Sequence, residues 1–197
     1  MKRSRVKQPQ VKHMSWAALT VLVLASALPA GASTFLAMSP AELTSQSDAV
    51  VTGEVIQVES FRDSSGRIIV SQAMIQVDEV VTGEAPTVVM VETFGGTVGD
   101  YTVVAHGFPQ FDQGDRLLVF LDHQEDGTSR VVGYRLGQYR VILNRLGEEI
   151  AVPTLEKNVT LLTPEGAAAE RPQAVKLEVF KRQLREQGRL LLQDQGF

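Results

Sequence analysis

Alternation of apolar and polar residues, the mark of half-buried strands, runs through the middle of this chain. It is clearest over Ile68 to Val81, where Ile69, Ala73, Ile75 and Val77 alternate with Val70, Gln72, Gln76 and Asp78. Ahead of it, Ala49 to Glu59 sets Ala49, Val51, Gly53 and Val55 on one face and Val50, Ile56 and Val58 on the other. Glycine in mid-strand predicts a bend or bulge there. A third strand, Thr87 to Thr93, is rich in β-branched residues, and the three in succession predict an antiparallel meander. Arg116 to Leu121 is a nearly continuous apolar strand, and Arg130 to Val132, Gly137 to Leu143 and Glu149 to Val152 supply more. Turn sequences separate them, among them Asp63-Ser64-Ser65-Gly66 and Asp126-Gly127.

Two helices bracket these strands. Ser39-Pro40-Ala41-Glu42 has a capping serine, a proline that fits the first helical position and a glutamate that returns to the cap nitrogen. Beyond a small-residue linker, Pro164 to Ala169, Leu177, Phe180 and Leu184 recur on one helical face. The expected fold is mainly β: a five-stranded or larger OB-like antiparallel barrel with a short N-terminal helix and a C-terminal helix. Residues 33–163 form the barrel domain and 164–197 the linker and tail helix, which is expected to dock on the barrel. Gly95 to Gln113 is the longest stretch without clear periodicity. A loop of that length inside a compact domain is functional or covers an open end.

The first 32 residues have a different character. Lys2, Arg3, Arg5, Lys7 and Lys12 stand ahead of an apolar run from Ala17 to Leu28, which Pro29 ends before Ala30-Gly31-Ala32. This is the pattern of a signal peptide cleaved between Ala32 and Ser33, which places the mature chain in the periplasm or outside the cell. The alternative, a retained membrane anchor, asks for about 20 apolar residues, and the run is shorter. The chain has 197 residues with 19 Lys+Arg and 23 Asp+Glu. Without the five leader cations the balance is 14 against 23, a formal charge of −9, which repels phosphate backbones and anionic lipid. The absence of cysteine removes disulfides, thiol nucleophiles, cysteine-ligated zinc and iron–sulfur clusters.

The remaining chemistry is sparse. His106 and His123 are the only histidines past the leader, so a three-histidine zinc site cannot be built. His123 beside Asp122, Glu125 and Asp126 could form a mixed site, but the run reads as a hairpin tip. No serine lies in a G-x-S-x-G elbow, and Gly95-Gly96-Thr97-Val98-Gly99 lacks the lysine and following helix of a phosphate cradle. Glu148 with Glu149, and Asp78 with Glu79, are adjacent on strands and point to opposite faces. No catalytic residue, metal or cofactor is therefore assigned. The long loop carries glycine and aromatics, the composition of a recognition surface: Gly95, Gly96, Tyr101, His106, Phe108 and Phe111. Phe108 and Phe111 could instead plug the barrel's open end.

The wording of Ser47 to Val55, of Val77-Asp78-Glu79-Val80-Val81-Thr82-Gly83 and of Phe111 to Leu121 resembles the inhibitory domain of tissue inhibitors of metalloproteinases and the wider netrin-like group. It is also similar to uncharacterised exported bacterial proteins. The resemblance covers Ser39 to Leu143 and implies an OB-type barrel that engages a protease. Those inhibitors chelate the target's zinc through an N-terminal cysteine, whereas Ser33 opens this mature chain. The expected function is a non-catalytic exported binding module that meets a secreted or periplasmic protein, with a protease implied, through the Gly95 to Gln113 loop and Ser33. The alternatives are a structural envelope component and a hydrolase using carboxylates and His106.

Overall fold

The computed structural model describes residues 34–194; the expected leader and Ser33 lie outside them. The meander is present as β2 (Ala49–Arg62), β3 (Ile69–Gly83) and β4 (Val88–Phe94). After a small hairpin, β5 (Gly96–Val98) and β6 (Tyr101–Val103), the chain returns as β7 (Arg116–His123), which pairs antiparallel with β2. The next strand, β8 (Ser129–Val131), pairs antiparallel with β7 and parallel with β4 through Val91 and Ser129. That contact closes a five-stranded barrel in the order β7-β2-β3-β4-β8, as expected except that one of its five seams is parallel.

Strand β7 forks. Its far half, Leu121 to His123, pairs with β8, while Leu117 to Val119 pairs with β9 (Gln138–Leu143) on the same edge. A single 3₁₀ turn, Tyr134–Gly137, sits in the fork. Strand β9 leads the sheet away from the barrel to β10 (Glu149–Pro153) and the two-residue β12 (Val175–Lys176). At the described N-terminus β1 (Thr34–Leu36) runs parallel to β11 (Thr160–Leu162).

The fork explains why Arg116 to Leu121 is apolar without alternation, as a strand buried on both faces must be. Leu117, Val119 and Leu121 fill the barrel with Ala49, Val51, Val55, Ile75 and Val91. Leu118 and Phe120 point the other way, into a second core with Val50, Tyr139 and Val141. Two helices seal that second core, α1 (Pro40–Ser45) through Leu43 and α2 (Leu177–Asp194) through Leu177, Phe180 and Leu184. Helix α1 begins with the expected reciprocal cap: Ser39 Oγ accepts from Glu42 N, and Glu42 accepts from Ser39 N.

Register shifts beside Gly53 and again around Ile56 show that β2 is bulged, as its glycine predicts. Among the described residues no helix is long and apolar enough to cross a membrane.

Candidate functional site

The long loop is two devices of opposite character. Its first part is the β5–β6 hairpin, turned at Gly99-Asp100 and pinned at its root. Gly95 and Gly96 have φ of 93° and 129°, a region that favours glycine. Ser71 Oγ donates to Gly95 O at 2.7 Å, and a Cβ on Gly96 would strike the Ser60 and Ser71 hydroxyls. The two glycines are therefore backbone requirements of the hairpin root. Tyr101 is 68% exposed, with the Arg62 guanidinium 5.3 Å from its ring centre, and Val103 and Val104 are exposed beside it.

The second part, Ala105 to Gln113, is strapped down. Four successive carbonyls each accept a hydrogen bond from a neighbouring element. Gly107 O takes Arg135 N at 3.1 Å and Phe108 O takes Arg135 Nε at 2.8 Å. Pro109 O accepts from Thr93 Oγ1 at 2.9 Å, and Gln110 O accepts from Gln138 Nε2 at 2.7 Å. Arg135 and Gln138 are buried, so their polar groups are expensive to leave unpaired, and the Thr93 bond is itself buried. Burial lowers the affinity of the Arg135 guanidinium for its proton, against a carboxylate of Glu156 3.5 Å away.

The strap fixes the aromatics. Phe111, 7% exposed, belongs to the barrel interior, so it plugs the barrel and is removed from the set of surface candidates. Phe108 stays half-buried at the centre of an edge-to-face row, 5.0 Å from Phe94 and 4.9 Å from Tyr134 between ring centres. Phe35 of β1 continues the row, 6.0 Å from Tyr134. Its ring occupies the space a Cβ would take on Gly107, which adopts φ of 83°. The described start of the chain and the strap thus meet. Ser33, one residue earlier, lies outside the described residues.

Phe94 and Tyr134 are 43% and 47% exposed, and with Phe108 they line a cleft of about 440 Å³ at the end of the barrel. Tyr134 is the one non-glycine residue with positive φ (56°) among the described residues. Glu92, Asp122 and Arg130 supply its charge. Neither Tyr134 nor Phe94 is marked by its local sequence. Tyr134 lies between strands in a short stretch without period, and Phe94 reads as the end of a strand.

The histidines lie apart from this cleft. His106 has a 61% exposed side chain with Nδ1 3.4 Å from Glu156. His123 bonds Ser129 Oγ at 2.9 Å and Glu84 O at 3.1 Å, and its backbone nitrogen donates to Asp48. Among the described residues no three histidine or acidic side chains gather as metal ligands would. The Asp126-Gly127 sequence is a hairpin turn, with Asp126 accepting from Thr128 N and Oγ1. Comparison with protein-family models, with curated proteins and with solved structures returns no match.

Proposed function

We propose that this chain is an exported, non-catalytic recognition module whose barrel end engages a secreted or periplasmic protein. A protease is the partner class implied by the likeness to the tissue inhibitors of metalloproteinases. One observation carries this role: exposed Phe94 and Tyr134 flank a strap whose carbonyls are tied to buried side chains, and exposed Tyr101, Val103 and Val104 lie on or next to the root-pinned hairpin that leads into it. Large rings on a rigid support lose little conformational freedom on binding, which is what an interface centre requires. The meeting of β1 with the strap supports a surface that includes the mature N-terminus.

Photo-crosslinking tests the role. With a benzophenone side chain at position 101 or 103, the exported chain should capture a discrete extracytoplasmic protein, and Tyr101→Ala with Val103→Ser should abolish retention. Retention unchanged by that pair, or no adduct from a folded bait, would refute it. Inhibition of the compartment's proteases by the wild-type chain is the separate readout for the partner class.

A structural envelope role is the second reading, favoured by Leu190 and Leu192, which are exposed at the end of α2. It requires Leu190→Gln with Leu192→Gln, and not the hairpin pair, to free the chain from its assembly. For a hydrolase, His106 would need an acid and a hydroxyl together in a pocket; its acidic neighbour, Glu156, also pairs with Arg135, and the His106 side chain is 61% exposed.

A further inference from the structure

The cleft beneath Phe94, Phe108 and Tyr134 is lined by aromatic rings, yet its charge is biased to one sign. Glu92 and Asp122 line it against one guanidinium, Arg130. Arg130 is itself surrounded by acids. Its Nη2 is 3.8 Å from Glu92 and Asp122 is its direct cross-strand partner. Asp126, at the turn just before β8, is held below the usual carboxylate range chiefly by its bonds to Thr128, with a smaller contribution from Arg130. Two carboxylates against one guanidinium leave the cleft with a formal charge of −1, within a chain that carries −9 once its leader is removed.

Glu92 also accepts from Gln72 Nε2 at 3.3 Å and Asp122 from Gln124 Nε2 at 2.8 Å, but these neutral donors leave one negative charge in excess. Rings and carboxylates together therefore attract a cation by the ring quadrupole and by Coulomb attraction in a partly desolvated site. A volume of about 440 Å³ falls within the range of small-ligand sites and exceeds what a single long side chain occupies. Resting on the recognition role proposed above, we propose that this cleft receives a cationic side chain, an arginine, projected by the protein partner. Phe94 and Tyr134 flank it, and Glu92 and Asp122 are its counter-charges. Arginine suits the cleft better than lysine because its planar, weakly hydrated head stacks on rings and meets carboxylates through paired donors.

The isotopically labelled chain, isolated from the compartment in which it accumulates, is titrated with acetyl-Gly-Xaa-Gly-amide peptides and followed by aromatic NMR. Xaa is arginine, its neutral isostere citrulline, norleucine or glutamate. The arginine peptide should move the ring resonances of Phe94, Phe108 and Tyr134 and bind about tenfold tighter than the citrulline peptide. In Glu92→Gln with Asp122→Asn, that preference should fall to about one, with the melting temperature retained.

Equal binding of citrulline or norleucine overturns the proposal, as does preference for glutamate, which would make Arg130 the anchor. Shifts confined to another surface, or no shift at millimolar peptide, overturn it too. If the peptides behave as expected but crosslinking captures nothing, the cleft stands and the protein-partner role falls. If a partner is captured and the double variant retains it undiminished, the cationic cleft falls alone.

Discussion

Arg135 shows how one side chain can set the geometry of a surface it does not form. Its backbone nitrogen and Nε hold Gly107 and Phe108, and Nη1 reaches Thr154 O at 3.1 Å. Arg135→Met keeps the bulk and the backbone bond to Gly107 O but removes the side-chain donors, leaving the half-buried Phe108 and Thr154 carbonyls without them. The expected loss is roughly 2–4 kcal/mol in urea unfolding, with faster exchange of the Phe108 amide, which donates to Ala105 O within the strap. Tyr101→Ala should behave oppositely, changing stability by less than about 0.5 kcal/mol while removing partner retention. The loop's aromatics were visible in the sequence, but their division was not. Phe108 and Phe111 are equally apolar, and only the strap's path, set by Thr93, Arg135 and Gln138 from distant elements, sends one inward and leaves the other half out.

Helix α2 is the element that makes the barrel wall into a second interior. Leu184 is fully buried, so Leu184→Ala should cost about 2–5 kcal/mol, read from denaturant midpoints. A buried Lys181 and its neighbour Arg185 both pair with Glu79 on β3, and Lys181 also meets Glu178. Burial alone would raise the Glu79 value, but the two cations outweigh it and hold the carboxyl below its ordinary range. A proton is therefore bound less readily by Glu79 in the folded chain than in the unfolded one. Its contribution is present above the ordinary carboxylate range and disappears as pH falls through the lower folded value. Melting temperatures between pH 6 and pH 2.5 should fall further for wild type than for Glu79→Gln. Helical spacing announced Leu177, Phe180 and Leu184, and Arg116 to Leu121 stood out as a nearly continuous apolar strand. Their meeting was not legible, since no local pattern states which apolar face covers which. The β5–β6 hairpin escaped for another reason, because three-residue strands are too short to show a period. Gly99-Asp100, a dipeptide suited to a tight turn, was its one local sign.

For the whole molecule, the tail is part of the fold and not an attachment to it. Deleting residues 177–197 would bare Val50, Leu118, Phe120 and Tyr139, and Tyr139 is buried deeply enough to raise its hydroxyl to about 12. The truncated chain should lose near-ultraviolet circular dichroism and bind anilinonaphthalene sulfonate. Release of an intact, well-ordered barrel would contradict this. The consequence reaches beyond truncation, because β2 and β7 are hydrophobic on both sides and neither interior can empty while the other stays filled. Local opening, the usual entry for an attacking peptidase, is then confined to elements outside the two interiors, such as the exposed β5–β6 hairpin, and does not reach β2 or β7. Cleavage within β2 or β7 should therefore track complete unravelling of the chain, a safeguard suited to the exported role proposed for it.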